Sequence, residues 1–285
     1  MENKIEYEVH SKEKIYFTIR VVVALGTYYL IYYLVSLAFT LRALPFIPVI
    51  LFYVGIILLY LILRLGLLVG YLKGNAVKVT ANQFPDIYDI VLKQCQALEM
   101  TKIPDVFILQ NGGLLNAFAT RFVGRNYIVI YSDVLEEAYE NNMDAVEFII
   151  GHELGHIKRK HMTKSLLLFP TFIIPLLNQA YSRGCEYTCD NIGAALNNKG
   201  VKPGLLVLAS GKKLWRKVNV ERYMQQEATE DGFWSWFAEK VSTHPKLTRR
   251  VIRFRHLDAK PEKIADESEQ KKEFVSDHHS YMPKV

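Results

Sequence analysis

Gly151-His152-Glu153-Leu154-Gly155-His156 is the stretch whose residue types and spacing amount most directly to chemistry. Two histidines four positions apart stand one above the other on a single helix face, close enough to share one tetrahedral metal ion. The glutamate between them points toward the open side of that metal, where a water would need a base. The chemistry implied is metal-assisted hydrolysis. Such a centre takes three of its ligands from protein, so a third must come from elsewhere in the chain.

The longer H-E-x-x-H-x-x-G-x-x-H pattern would put a glycine at position 159 and a histidine at 162, and the chain has Arg159 and Met162 there. His161 is one position off and is expected to be solvated. A carboxylate from a later helix remains, and Cys185-Glu186-Tyr187-Thr188-Cys189-Asp190 offers two at helical spacing. One of Glu186 and Asp190 could bind the metal while the other holds a ligand histidine by its second ring nitrogen. Cys185 and Cys189 share that spacing but flank the better donors, and they read as small packing residues. With three cysteines the chain has no disulfide framework, which suits a reducing compartment.

The elements that must carry these residues follow from periodicity. Met143 to Lys158 reads as a helix in which Val146, Ile150, Leu154 and Ile157 fall within about 80° of one another. His152 and His156 lie on the adjacent stripe with Ala145 and Ile149, so the histidine face also turns inward.

The His152-to-His156 motif, the run Ser182-Arg183-Gly184-Cys185-Glu186-Tyr187-Thr188-Cys189-Asp190, and the later Ser242-Thr243-His244-Pro245 with Arg250 resemble three motifs, in the same order, of the integral-membrane zinc metallopeptidases typified by the HtpX heat-shock protease and the CAAX prenyl proteases. The resemblance covers most of residues 80 to 257. It implies one Zn2+ per chain with Glu186 as third ligand, Asp190 behind a ligand histidine, and His244 with Arg250 near the tetrahedral intermediate. Asn116-Ala117-Phe118-Ala119 matches that family's edge strand, which implies that an extended substrate adds to it as a further strand.

Half of the 285 residues are hydrophobic, and the excess lies before residue 72. No residue from Val21 to Leu41 is charged, and none from Ala43 to Leu63, in each case enough for the roughly 20 residues that span a bilayer. Glu2, Glu6, Glu8 and Glu13 ahead of the first run, with no small-residue cleavage site after it, argue against a removable leader. Arg42 to Pro45 leave room only for a tight turn, so the spans form a hairpin. Lys4, Lys12, Lys14 and Arg20 precede it, Arg64, Lys73 and Lys78 follow it, and Arg42 lies between, so both ends and the metal site are expected in the cytoplasm of a multi-pass cell-membrane protein. Tyr28, Tyr29, Tyr32 and Tyr33 are expected to pack on the second span. The net charge of +6 clusters at Lys158, Arg159, Lys160 and Lys164 and at Lys212, Lys213, Arg216 and Lys217, as it would beside anionic headgroups, so membrane lipid is the expected partner and nucleic acid is not.

Between the hairpin and the metal helix, Asn82 to Met100 reads as a helix, and Val106 to Gln110, Leu114 to Thr120 and Asn126 to Tyr131 read as a small antiparallel sheet. The apolar run Leu166 to Leu177 is too short to cross a bilayer and carries Pro170 and Pro175. HtpX is expected to have a further pair of spans there, so this chain departs from it, and the run should dip into the membrane surface or roof the site. Lys202 to Val218 reads as a helix, and Phe233, Trp234, Trp236 and Phe237 as a core cluster, with anchoring of the rings at a bilayer as the alternative. The expected fold class is α+β: an N-terminal segment 1–14, a transmembrane hairpin 15–72, a mostly helical zincin-like domain 73–257, and a disordered tail 258–285.

The expected activity is that of a membrane-anchored zinc endopeptidase acting on membrane or misfolded proteins, as in HtpX-like quality control. The alternatives are a processing protease for lipidated C-termini, against which two spans argue, and a non-catalytic adaptor, which would be expected to lose Glu153 or a ligand.

Overall fold

A computed structural model describes residues 5–40, 46–110, 117–140 and 143–258. Helices α1 (Ser11–Thr40) and α2 (Phe46–Asn75) are both long and apolar enough to cross a membrane. Their mid-sections leave Leu30, Val35, Leu51, Ile57 and Leu61 among many exposed apolar side chains, a surface suited to lipid rather than water. The expected turn at 42–45 lies outside the described residues. Of the four tyrosines, Tyr29, Tyr32 and Tyr33 are exposed, while Tyr28 packs on the 166–177 run rather than on α2: its hydroxyl donates to the Leu167 carbonyl at 2.8 Å and its ring meets Phe169 edge-on.

The last turns of α2 leave the lipid-facing pattern and become part of the domain. Val69 packs with Phe107 and Tyr127, and Leu72 with Leu109 and Val129, on one face of a four-stranded sheet. The strands are β1 (Val77–Lys78), β2 (Asp105–Leu109), β3 (Ala117–Phe122) and β4 (Arg125–Tyr131), in the order β1-β2-β4-β3. The alternating positions Val106, Ile108, Ile128 and Ile130 face the opposite way into the main core, which is why both faces of these strands are apolar. The sheet is mixed and not wholly antiparallel, because β2 and β4 pair in parallel with Val106 opposite Ile128. A wholly antiparallel reading treats β2 and β3 as neighbours, whereas β4 inserts between them and leaves β3 at the edge, paired with β4 from Ala117 to Phe122.

Helix α3 (Pro85–Ala97) starts at its proline, with Phe84 and not a polar residue as N-cap, in left-handed geometry (φ 58°). After β4 come α4 (Ser132–Glu140), α5 (Asp144–Lys158) and α6 (His161–Leu167), then a 3-10 segment Phe169–Ile173 and α7 (Leu177–Leu196). Helices α8 (Val201–Ser210), α9 (Val220–Thr229), α10 (Phe233–Val241) and α11 (Leu247–Arg253) complete this compact unit, which ends at Phe254. The expected helix 202–218 stops at Gly211, whose φ of 88° suits glycine and breaks the helix, and resumes only as a 3-10 turn over Trp215–Lys217. The second unit begins at Arg255, and its described part is a 3-10 turn to Asp258. The expected disordered tail beyond it lies outside the described residues.

Two further expectations change. Phe233, Trp234, Trp236 and Phe237 form no core: Trp234 is 77% exposed, and Phe233 stacks on Phe237 at the surface. In the 166–177 run, Leu166, Leu167, Phe169, Phe172 and Ile173 are exposed. That run is tied to α1 by Arg20, whose Nε donates to Thr171 Oγ1 at 3.0 Å and whose Nη2 donates to the Leu168 carbonyl at 3.4 Å.

Candidate metal centre

The centre is built where α5 crosses α7, the most extensive helix contact of the described fold. The crossing is close because it is lined by small residues. A Cβ on Gly151 would come within 3.2 Å of Gly193 Cα, and one on Gly155 within 3.2 Å of Cys189 Sγ. That proximity lets short acidic side chains of α7 reach histidines of α5. It also gives Cys185 and Cys189 their place as buried packing residues, with thiols pushed up in pKa by burial and so kept protonated.

His152 Nε2 and His156 Nε2 face each other at 3.3 Å. Glu186 spans them, with Oε2 at 3.4 Å from His152 Nε2 and Oε1 at 3.4 Å from His156 Nε2. Bonds of about 2.05 Å to a tetrahedral ion leave neighbouring donor atoms about 3.3 Å apart, so these three groups have the spacing of a zinc ligand set. Two ring nitrogens and a carboxylate thus converge on one point. The residues therefore fit the metal.

Behind His152 stands a charged pair. Its Nδ1 lies 3.0 Å from Asp190 Oδ1, and Arg250 holds Asp190 at both oxygens, with Nε to Oδ2 at 2.9 Å and Nη2 to Oδ1 at 2.6 Å. Asp190 and Arg250 are buried. Burial alone would raise the Asp190 pKa, but the Arg250 charge and the His152 hydrogen bond hold it below the usual carboxylate value. The same balance holds Glu186 well below its usual value, with burial opposed by hydrogen bonds from His152 and His156. His152 itself is raised to about 10, burial being outweighed by its bonds to Asp190 and Glu186. An anionic, hydrogen-bonded pocket of this kind favours a cation shared by the two carboxylates and His152.

Behind His156 stands a group that the sequence alone does not disclose. His161, expected to be solvated, is only 5% exposed, and its Nδ1 lies 3.1 Å from His156 Nδ1. The correction has a simple cause: after Lys160, whose φ of 54° breaks the helix, α6 turns back and carries His161 inward. Burial is the main reason that its pKa falls to about 4, so the ring is neutral at physiological pH.

A cleft of about 320 Å³ opens in front of the cluster. Glu153 lines it, as do Ala117 and Phe118 of the sheet edge; Asn116 lies outside the described residues. His244 also lines it, with a side chain 63% exposed and Nε2 at 3.4 Å from Glu186 Oε1. Arg250 borders the cleft but directs two nitrogens at Asp190, with Nη1 at 3.6 Å from Glu186 Oε2. The turn that carries His244 is fixed from α7: Arg183 Nη1 donates to the carbonyls of Glu239, Lys240 and Ser242 at 2.8, 2.8 and 2.7 Å. A lone arginine inside a helix gives no sign of that role before its three acceptors are brought together.

Two histidines and a glutamate from one helix, met by a carboxylate from a second and flanked by an edge strand, define a centre of metallopeptidase type. Residues 81–177 match the model of peptidase family M48, in agreement with the resemblance drawn from the motifs. The matched span takes in strands β2 to β4 and the whole of α5 and stops where α7 begins, so Glu186, Asp190, His244 and Arg250 stand on geometry. No curated protein matches the chain.

Proposed function

We propose that the protein is a membrane-anchored zinc endopeptidase that cleaves membrane proteins or unfolded segments close to the bilayer. The observation that carries this reading is the mutual spacing of His152 Nε2, His156 Nε2 and the Glu186 carboxylate at 3.3 to 3.4 Å, with Glu153 beside them at the floor of an open cleft. One zinc ion held by these three ligands supplies Lewis-acid activation of water and of the scissile carbonyl. Glu153 takes a proton from the attacking water and passes it to the leaving amine. His244, exposed and facing the cleft, donates to the developing oxyanion. Arg250 acts one step back, since its engagement with Asp190 keeps His152 oriented. The outer strand β3, which borders the cleft at Phe118, receives an extended substrate as an added strand.

The apolar surfaces support the membrane placement. Helices α1 and α2 cross the bilayer, the 166–173 segment held by Arg20 and Tyr28 lies in its surface, and the exposed aromatic group of α10 anchors beside it. Quality control of the HtpX kind is the role most compatible with a cleft that is open and not enclosed in a chamber. The lysine and arginine bias puts both termini and the site in the cytoplasm, and tags at residues 1 and 285 should resist protease added to intact spheroplasts.

The decisive test is metal analysis of the purified full chain in detergent, paired with hydrolysis of an unfolded reporter protein. One zinc per chain with turnover that stops in Glu153→Gln, while zinc remains, is the expected result. Metal-free wild type, or Glu153→Gln with wild-type turnover, overturns the reading.

A further inference from the structure

Glu13 is the first-turn acid of α1, at the base of the first apolar helix, and it is 1% exposed. It is buried because α1 seats on α7 at a glycine. A Cβ at Gly184 would meet the backbone nitrogen of Glu13 at 2.7 Å, so only glycine lets the two backbones approach this closely. The seat brings Glu13 Oε1 to 3.2 Å from His161 Nε2, across the ring from the contact that His161 makes with the metal ligand His156.

We propose that Glu13 is a positioning residue for the metal centre, acting through His161 to orient His156 and to set which of its nitrogens carries the proton. The inference rests on the zinc reading above. Its logic is one of valence. Glu13 is ionised in its pair with Arg159, whose Nη2 and Nε lie 2.9 and 3.2 Å from Oε1, and an ionised carboxylate only accepts. His161 therefore carries its hydrogen on Nε2, toward Glu13. In the zinc reading the Nε2 lone pair of His156 faces His152 and Glu186, so its hydrogen lies on Nδ1 and is donated across 3.1 Å to His161 Nδ1, the ring nitrogen of His161 that is turned away from Glu13. The Nε2–Oε1 contact is within reach but imperfectly aligned, so Nε2 counts among the buried atoms with no well-formed bond.

A second metal ion is the rival use of this cluster, since Glu13, His161 and Cys185 place donor atoms within 4.8 Å of one another. The surrounding charges oppose it. Arg159 and Lys164 lie 2.9 and 3.9 Å from the same carboxylate oxygen, and burial keeps the Cys185 thiol protonated. A further cation would sit among cations.

The test compares zinc affinity, by chelator competition, and the visible spectrum of the Co2+-loaded chain for full-length protein in detergent. Glu13→Ala should weaken zinc binding about 10-fold, at the low end of the 10 to 100-fold range seen when a hydrogen-bond partner of a ligand is removed, and should shift the Co2+ bands. His161→Ala should do the same, and the double variant should lose no more than His161→Ala alone, because the two act in series. Arg159→Gln, which removes one cation from Glu13 but leaves Lys164 near it, the Gly184 seat of α1 intact and the carboxylate on His161, should leave affinity and spectrum near wild type. If Glu13→Ala fails to fold, the isosteric Glu13→Gln carries the comparison, with a smaller loss because its amide oxygen still accepts. Unchanged affinity in the Glu13 variants, additive losses in the double variant, or departure of a second zinc equivalent with the first retained overturns the proposal. Wild type that binds no zinc overturns the functional reading along with it.

Discussion

His152 and His156, the two histidines of α5 proposed as ligands, are supported in opposite ways. His152 leans on a charged pair, Asp190 clamped at both oxygens by Arg250, all of it supplied by the helices of the domain. His156 leans on a neutral imidazole, His161, whose far side meets Glu13 of the first apolar helix. The first arm reaches its histidine with full charges at short range and the second through an intermediate ring. The first arm should therefore dominate metal affinity and stability, while the second couples the centre to the seating of α1.

The largest effects should come from the ligands themselves, which both arms serve. Glu186→Ala removes a charged ligand from a centre with three protein ligands and leaves Arg250 Nη1 without its second carboxylate; zinc content of the purified chain should fall to background. Glu153→Gln should retain zinc and lose hydrolysis by at least about 100-fold, measured on an unfolded reporter. Zinc lost from Glu153→Gln would mean that the residue belongs to the ligand set and would break the division of labour on α5.

Next comes the strong arm. Asp190→Ala should lower zinc affinity by about 10 to 100-fold. It also takes from the buried Arg250 the carboxylate that it holds at two oxygens and leaves it only the 3.6 Å contact to Glu186, and breaking such a buried pair costs about 3 to 5 kcal/mol in stability. The thermal midpoint in detergent should therefore drop along with the metal. The relayed arm, probed by His161→Ala, should cost about 10-fold in affinity and less in stability, since Glu13 keeps its closest charge partner, Arg159. Equal stability losses in the two variants would remove the distinction between the arms.

Smaller still, Cys185→Ser and Cys189→Ser should keep zinc near wild type, because both thiols are buried packing groups beside the crossing. Zinc that survives Glu186→Ala and disappears with either cysteine would replace the carboxylate site by a thiolate one. The smallest effect concerns the segment that leads into α1. His10 rests on Tyr187, and desolvation, with Arg253 and Lys12 nearby, lowers its pKa from 6.5 to about 4. The fold thus favours the neutral ring: its contribution is full above pH 6.5, where both states are neutral, and declines as pH falls toward 4 because the unfolded chain takes up the proton first. His10→Gln should flatten the stability–pH curve slightly in that window, by an amount reduced through the partial exposure of the ring.

What the amino-acid sequence determined by itself is what depends on local spacing. Residues four apart share a helix face whatever surrounds them, so His152, Glu153 and His156 were legible as one constellation, as were Glu186 and Asp190 as another. Uncharged runs long enough for a bilayer are likewise a matter of counting. Tertiary structure decided everything that depends on which distant segments meet. It decided that β4 inserts beside β2, making the sheet mixed, and that the α10 aromatics remain outside the core. It also decided that Arg250 bonds Asp190 and that Arg183 holds the turn before His244. His161 shows the limit most clearly: one position out of phase with the longer zinc motif, it is brought to the ligand by the break at Lys160, and Glu13, at a separation of 148 positions, reaches it only because Gly184 lets α1 and α7 touch. Burial and pairing at such separations are properties of packing, which periodicity along the chain does not encode.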